Sequence, residues 1–177
     1  MSKTAWMVIT LLIIAGGILL AFFPKGTPPQ GPDLSILYPA QNRDHIEVGA
    51  VHDAYNSNPP SGGWHYALTA KKMFYTEALP DEYAVHNLEH GDVWITYHPR
   101  ISDEAKKTLK KFAFSRMLIS PREQNETDIA LVSWEHVDAF NLEGQPVPDG
   151  RIQDFIDRYR NKGPEQLPVG AMEATFN

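Results

Sequence analysis

The feature that most constrains this chain is an apolar run near its amino end. The sequence from Thr4 to Phe23, TAWMVITLLIIAGGILLAFF, contains no charged residue. As a helix rising about 1.5 Å per residue it would be about 30 Å long, which is the thickness of a bilayer core. We therefore expect a transmembrane helix over residues 4–23. A cleaved signal peptide is the alternative, but its apolar part should span only about 7–15 residues and end at a small-x-small site, whereas this run ends in Ala-Phe-Phe-Pro.

The charges around this run predict its orientation. Lys3 precedes the run and Lys25 follows it closely, so we expect residues 1–3 to form a cytoplasmic tip. The protein would then cross the cytoplasmic (inner) membrane once, with its C-terminal part extracytoplasmic or periplasmic. The chain contains no cysteine, which is compatible with that location and excludes both a disulfide framework and a thiolate metal site.

The overall charge limits the classes of partner. The chain carries 16 Lys and Arg against 22 Asp and Glu, a formal net charge of −6 at pH 7. Such a surface repels phosphate backbones, so we expect no nucleic-acid partner. The expected partners are the membrane, through the N-terminal helix, and other subunits of a membrane protein complex.

Proline and glycine divide the rest of the chain. Residues 24–32, PKGTPPQGP, cannot continue a helix and form a stiff linker. The domain is therefore predicted to span residues 33–177. Its first half, to about Leu79, is rich in turn residues, most densely in NSNPPSGGWH at 56–65, and few regular elements are expected there.

The second half of the domain shows periodic patterns of apolar residues. Strand-forming residues alternate in some segments, and others repeat at helical spacing behind an N-cap such as Ser102. The predicted elements are strands over 92–97, 117–120 and 128–135, and helices over 102 to about 115 and 149–161. This β-α-β-β-α order predicts an α+β domain with helices packed on one small sheet.

Two of the seven histidines stand four residues apart in a short segment with helix signals. Pro80-Asp81-Glu82 suits a first helical turn and Gly91 suits the C-terminal stop. On such a helix His86 and His90 would point from one face, the spacing that lets two imidazoles share a metal ion. His52, His98 and His136 we interpret as surface or structural residues.

Several longer stretches of the sequence resemble a known family. They are RDHI (43–46), YNSNPPSGGWHY (55–66), VHNLEHGDVWITY (85–97) and, more weakly, SP (120–121), IALVSW (129–134) and GPE (163–165). Together they resemble a family of membrane-anchored or secreted prokaryotic proteins of unknown function, whose signature is PPTSG-P-H followed by VHNLEHG. The chain departs from that signature at Ser61-Gly62-Gly63-Trp64, where the family usually reads Thr-Ser-Gly-Pro, but the histidine stays in register as His65.

The resemblance implies which residues belong to the shared signature. They are four histidines and one carboxylate: His45, His65, His86, His90 and Glu89. Three or four neutral imidazoles, with or without a carboxylate, suit zinc or copper. We therefore predict that the domain is a membrane-anchored accessory domain that binds one of these metals through a histidine cluster.

Two other functions stay open at this level. The segment H-N-L-E-H, residues 86–90, matches the inverted zincin motif H-x-x-E-H, in which the glutamate activates water, and so allows a zinc-dependent hydrolase. A hydrolase also needs a third ligand, and the helix before Gly91 is short. The other alternative is a non-catalytic structural subunit of a larger integral membrane complex, in which the motifs form a rigid hydrogen-bonded core.

Overall fold

The computed structural model describes residues 29–165, residue 167 and residues 175–176. In that part of the chain a mixed sheet lies between two layers of helix and loop. The strands are β1 (Ile36–Leu37), β2 (His45–Ile46), β3 (His65–Tyr66), β4 (Thr69–Ala70), β5 (Val93–Tyr97), β6 (Met117–Pro121), β7 (Ile129–Ser133), β8 (His136–Phe140) and β9 (Thr175–Phe176). The helices are α1 (Asp81–Glu89), α2 (Asp103–Lys110) and α3 (Asp149–Tyr159).

The main sheet has five strands in the order β1-β8-β7-β5-β6. Strands β5 and β6 are parallel and are joined by a crossover through α2, whereas the other neighbours in this sheet are antiparallel. Two short parallel pairs, β2 with β3 and β4 with β9, lie apart from the main sheet. The loop-rich first half of the domain thus contributes only two-residue strands.

Alternation along the central strand β5 sends its side chains to two different cores. Val93 and Ile95 pack with the apolar faces of α2 and α3, whereas Trp94 between them packs with α1. The Trp94 indole N–H donates to the Ser120 hydroxyl at 2.9 Å, so its one polar atom is satisfied in the interior. The sheet is covered on both faces, which explains why β5, β6 and β7 are buried along their whole length.

Helix α1 is fixed at both ends by buried polar contacts. At its N-terminus the Asp81 carboxylate accepts from Nε and Nη2 of the buried Arg122 at 2.9 and 2.8 Å. Near its C-terminus Asn87 bonds the backbone of Ala70 in β4 twice, donating to its carbonyl at 3.0 Å and accepting from its N–H at 2.8 Å. Gly91, at a φ of 83°, ends the helix in the left-handed region, as the sequence predicts.

The fold-class prediction is wrong where it opens the fold with a transmembrane helix. Among the residues that the structure describes, no helix is long and apolar enough to cross a membrane. The longest of them, α3, has 11 residues and is about 16 Å long, roughly half the thickness of a bilayer core. The predicted segment 4–23 lies outside the described residues. The architecture that is observed is α+β, with a mixed sheet and helices.

The predicted elements of the second half are found, with two differences. Helix α2 begins after its Ser102 cap, whose hydroxyl accepts from the Ala105 N–H at 3.2 Å, but it ends at Lys110 and not near Ser115. The chain then forms turns in which a backbone N–H bonds the carbonyl three residues earlier, such as Phe112 N–H to the Leu109 carbonyl.

The second difference is strand β8, which the sequence analysis missed. Ser133 pairs with His136, so Trp134 and Glu135 form a two-residue hairpin loop. Glu135 adopts a φ of 64°. In such loops this conformation is usually found at the residues Asn-Gly or Asp-Gly. Trp-Glu carries no such signal, and the predicted strand 128–135 therefore ran through the turn.

Candidate metal centre

Three segments bring the candidate ligands to one place beside α1. Strands β2 and β3 pair in parallel with His45 directly opposite His65, so both imidazoles stand on the same side. Helix α1 carries His86 and Glu89 three residues apart, on one face of the helix. The Asn87 bonds to Ala70 hold that part of the helix against β4, and the His86 bond to the Tyr66 carbonyl holds it against β3.

The three imidazole rings form a nearly equilateral triangle. The ring centroids are 4.8 Å apart between His45 and His65, 4.9 Å between His45 and His86, and 5.0 Å between His65 and His86. One ligand atom from each of these rings and one carboxylate oxygen of Glu89 all lie within 4.8 Å of one another. The cluster offers three nitrogen donors and one oxygen donor, a set that suits zinc or copper.

Backbone carbonyls fix the tautomer of the two buried histidines. The Nδ1–H of His65 donates to the Gly63 carbonyl, and that of His86 donates to the Tyr66 carbonyl, each at 2.7 Å. In the neutral His86 imidazole the other nitrogen, Nε2, then carries the lone pair, whereas the His65 Nε2 lies within hydrogen-bond range of Glu89. Gly63 aims its carbonyl from a φ of 117°, where a Cβ would lie 3.3 Å from the Tyr55 ring. This arrangement is how proteins orient histidine ligands toward a metal.

Glu89 lies between a histidine and an arginine. One oxygen, Oε1, accepts from the Arg43 Nε at 2.5 Å, and the other, Oε2, lies 3.1 Å from the His65 Nε2. Burial by itself raises the pKa of Glu89, but the bonds to His65 and Arg43 outweigh it and lower the pKa to about 2. Glu89 is therefore a carboxylate at neutral pH, and its Oε2 faces the His65 Nε2.

The environment of His86 keeps its imidazole neutral. Burial lowers the pKa most, the nearby His90 and His65 lower it further, and together they bring it to about 4. The ring is only 5% exposed. At pH 7 the Nε2 lone pair of His86 is thus available to a metal without loss of a proton.

His90 lies beside the four-residue cluster. Its Nε2 is 3.2 Å from the Nε2 of His86, so the i, i+4 pair does converge as the helical spacing predicts. Ligand atoms of His90, Glu89 and Glu165 form a second group within 4.8 Å of one another. Of the five predicted ligands, the structure therefore gathers four around one point. The fifth, His90, lies beside that point and belongs to the second group with Glu165.

One distance within the cluster is close to that of a tetrahedral site. Zinc binds imidazole nitrogen and carboxylate oxygen at about 2.0–2.2 Å, so neighbouring ligand atoms on a tetrahedral ion lie roughly 3.4 Å apart. The 3.1 Å between His65 Nε2 and Glu89 Oε2 is near that value. The 4.8 Å limit of the whole group is wider, so the other ligand atoms would have to move closer together to bind one ion.

Sequence reasoning missed two charged residues at this site. Arg43 pairs with Glu89 and also lies 3.8 Å from the Glu165 carboxylate. Both residues stand in stretches that carry the family resemblance, RDHI and GPE, but neither has a histidine's obvious metal chemistry. The backbone of Glu165 bonds the Glu89 carbonyl at 3.0 Å, which brings the GPE stretch to the end of α1.

The hydrolase alternative requires Glu89 to activate water. In the structure both of its oxygens already face partners, Arg43 and His65. The bonds to His65 and to the Arg43 guanidinium hold the pKa of this carboxyl far below the range of a general base at neutral pH. This geometry suits a ligand or an orienting carboxylate better than a base.

The remaining histidines lie in other surroundings. His52 stacks on Trp64, and its Nε2 lies 3.4 Å from Glu82. His98 accepts from the Arg100 backbone N–H at 3.1 Å, and His136 stacks on Tyr159. Each has a local structural contact, in agreement with their interpretation as surface or structural residues.

The fold and the site together define a small α+β domain that gathers imidazoles and a carboxylate that could hold a metal ion. A family model described as "Protein of unknown function (DUF3105)" matches residues 49–170. The chain belongs to this family. No curated protein and no solved structure matches the chain.

The family match confirms one part of the resemblance that the motifs carry. The chain is a member of a family of unknown function, as predicted. The signature itself and the membrane anchoring that the resemblance implies stay predictions. The matched range starts after the RDHI stretch, so it does not include Arg43 or His45.

Proposed function

We propose that this domain binds one transition-metal ion, zinc or copper, through His45, His65, His86 and Glu89. The observation that carries the proposal is the triangle of three imidazole rings with sides of 4.8 to 5.0 Å. A core histidine that serves packing alone needs no other imidazole near it. Three that converge on one carboxylate place four donor atoms around a common point.

The bonds behind the donor atoms support the same proposal. His65 and His86 donate their Nδ1–H groups to backbone carbonyls, and this directs each Nε2 toward the centre of the cluster. Arg43 bonds one oxygen of Glu89 and leaves the other for the centre. Such outer contacts fix ligand orientation, and their loss typically costs about 10- to 100-fold in metal affinity.

His90 is an adjacent residue in this proposal. Its Nε2 approaches the His86 Nε2 at 3.2 Å, which gives the centre a fifth donor within reach. The accessory role, the extracytoplasmic location and association with a membrane protein complex stay predictions from the sequence. The cysteine-free composition is compatible with that location.

The proposal is tested by the metal content of the full-length chain purified without a histidine tag. The protein is stripped with a chelator, challenged separately with zinc and copper at neutral pH, desalted and measured by elemental analysis. His65→Gln and His86→Gln remove one donor each while keeping a polar side chain of similar length. His98→Ala is the matched control, because it removes an imidazole outside the cluster.

We expect about one metal ion per wild-type chain and per His98→Ala chain, and a large loss of metal in both glutamine variants. Circular dichroism establishes that each variant is folded, so that lost metal is not a consequence of unfolding. A wild-type chain that is folded and stays metal-free with both ions would refute the proposal. The cluster would then be a hydrogen-bonded structural core.

A further inference from the structure

The four candidate ligands differ sharply in exposure. His65, His86 and Glu89 are 0%, 5% and 2% exposed, whereas His45 belongs to the exposed class. Of the four candidate ligands, the exposed one is the most accessible to solvent and to other molecules. That ligand is His45.

The four ligands also differ in how firmly they are held. His65 and His86 are each fixed by a 2.7 Å bond from Nδ1 to a backbone carbonyl, and Glu89 is fixed by Arg43. Among the described residues the His45 ring contacts the rings of His65 and His86 and makes no hydrogen bond.

The backbone that carries His45 makes fewer contacts with other elements than the backbone that carries His86 and Glu89. It is part of β2, a strand of two residues whose one strand partner among the described residues is β3. His86 and Glu89 belong instead to the buried helix α1. Local opening is cheapest where few buried contacts are lost, so the exposed His45 ring should leave the site before any other ligand does.

We propose that the domain transfers its metal and that His45 is the ligand exchanged during the transfer. This inference rests on the proposed function and names what the centre does with its ion. The metal is cargo, and the acceptor is a molecule that presents a nitrogen or sulfur donor atom. His65, His86 and Glu89 are the preorganised ligands that retain the ion while the fourth ligand is exchanged.

The transfer is a ligand substitution. The bond between the metal and the His45 nitrogen breaks as a bond from the metal to the acceptor's donor atom forms, and His45 leaves as a neutral imidazole. No electron moves and the charge of the metal is unchanged. Bonds to the buried ligands then break as further donors of the acceptor bind.

The test compares the rate of zinc release from the full-length chain with that from two variants. The zinc-loaded protein is mixed in a stopped-flow instrument with the chromogenic chelator 4-(2-pyridylazo)resorcinol, which supplies nitrogen donors, over a range of chelator concentrations. His45→Ala removes the exposed ligand, and His65→Gln removes a fixed one. His98→Ala again controls for the loss of a histidine outside the cluster.

We expect His45→Ala to bind one zinc ion still, with affinity lower by about tenfold or more, and to release it at least tenfold faster than wild type. Wild type and His98→Ala should release zinc at one common rate that rises with chelator concentration. His65→Gln should not retain stoichiometric zinc, because one of the three fixed ligands is lost.

Two outcomes would overturn the transfer proposal while leaving metal binding intact. One is a His45→Ala variant that is folded but binds no zinc, which would make His45 as essential as the buried ligands. The other is release from His45→Ala at the wild-type rate, which would place the exit elsewhere. A wild-type chain that binds no zinc or copper at all would refute the proposed function itself, and the transfer proposal with it.

Discussion

At the scale of single residues, Glu89 connects the two charged parts of the site. Its oxygens face different partners, Arg43 on the exposed side and His65 on the buried side. A buried carboxylate is costly unless it is paired and hydrogen-bonded. Here the pairing is complete, which is why the pKa falls although burial alone would raise it.

The first prediction concerns Glu89→Gln, which keeps the shape of the side chain and removes its charge. We expect metal affinity to fall by at least tenfold, because an amide oxygen is a weaker donor than a carboxylate. The metal-free protein should lose about 1–2 kcal/mol of unfolding free energy, because hydrogen bonds to a charged group are weakened. Urea unfolding and metal titration measure the two effects.

Glu123→Gln is the matched control for this change, since Glu123 is an exposed carboxylate. It should leave both quantities within error of wild type. Equal affinity in Glu89→Gln and wild type would exclude Glu89 as a ligand and leave it an orienting role.

The second prediction uses His136, which lies outside the metal cluster. Burial lowers its pKa from 6.5, and the attraction of Asp33 and Glu135 only partly offsets this. The unfolded chain therefore binds the proton more readily than the folded one, so unfolding free energy should fall as pH drops below about 6.5. In His136→Gln that dependence should be weaker, by less than one proton, in urea unfolding of metal-free protein between pH 7.5 and 5. An identical pH dependence in both proteins would contradict the prediction.

Much of the site could be predicted at this scale because its residues stand in the motifs that carry the family resemblance. His45, His65, His86 and Glu89 were all among the predicted ligands, and the structure gathers them. Arg43 could not be predicted, because its role depends on β2 lying against β3 and on where α1 ends. Those are long-range facts that spacing along the chain does not contain.

At the scale of elements, the end of helix α1 is closed by a contact between two glycines. A Cβ on Gly163 would lie 2.1 Å from the Glu89 carbonyl oxygen and 2.3 Å from the Gly91 nitrogen. These are backbone atoms that cannot swing aside. The GPE stretch can therefore approach α1 this closely only with glycine at position 163.

The third prediction follows from that contact. Gly163→Ala should cost about 1–3 kcal/mol of unfolding free energy, the usual range for overpacking, and should weaken metal binding because the helix carries His86 and Glu89. Gly150→Ala, in α3, is the matched control, since its added Cβ meets nothing within 4 Å. That change should be neutral or slightly stabilising, because alanine favours a helix. A Gly163→Ala chain as stable as wild type would show that the GPE stretch can withdraw from α1 without cost.

The success of the element predictions followed the strength of the local signals. Strand β5 and helix α3 have clear periodicity, and both were found with bounds within two residues of those predicted. The hairpin between β7 and β8 was missed because its turn residues, Trp134 and Glu135, are held by contacts from distant segments. The Glu135 N–H donates to the Ser61 carbonyl and its carboxylate accepts from the Ala40 N–H, each at 2.7 Å.

At the scale of the whole molecule, a metal that binds the folded chain must stabilise it. The candidate ligands come from β2, β3 and α1, which are far apart in the sequence. Unfolding separates them and destroys the site, so binding free energy adds to folding free energy. The same dependence explains why the sequence predicts candidate ligands of the metal centre but not their geometry, which exists only in the folded domain.

The fourth prediction is a metal-dependent rise in melting temperature. At a free metal concentration about 100-fold above Kd the stabilisation is about 2.7 kcal/mol, which for a domain of this size corresponds to roughly 5–10 °C. Differential scanning calorimetry of the full-length chain, stripped and reloaded, measures it. His86→Gln should show no comparable shift, and an equal shift in that variant would indicate binding elsewhere on the chain.

The most direct test of the central claim is X-ray absorption spectroscopy of the metal-loaded full-length chain. The structure predicts about three imidazole ligands, recognised by their ring scattering, and one oxygen ligand, all at about 2.0–2.2 Å for zinc. In His65→Gln the imidazole number should fall by one or the signal should vanish. A bound metal surrounded by oxygen ligands with no imidazole scattering would contradict the claim that His45, His65 and His86 form the site.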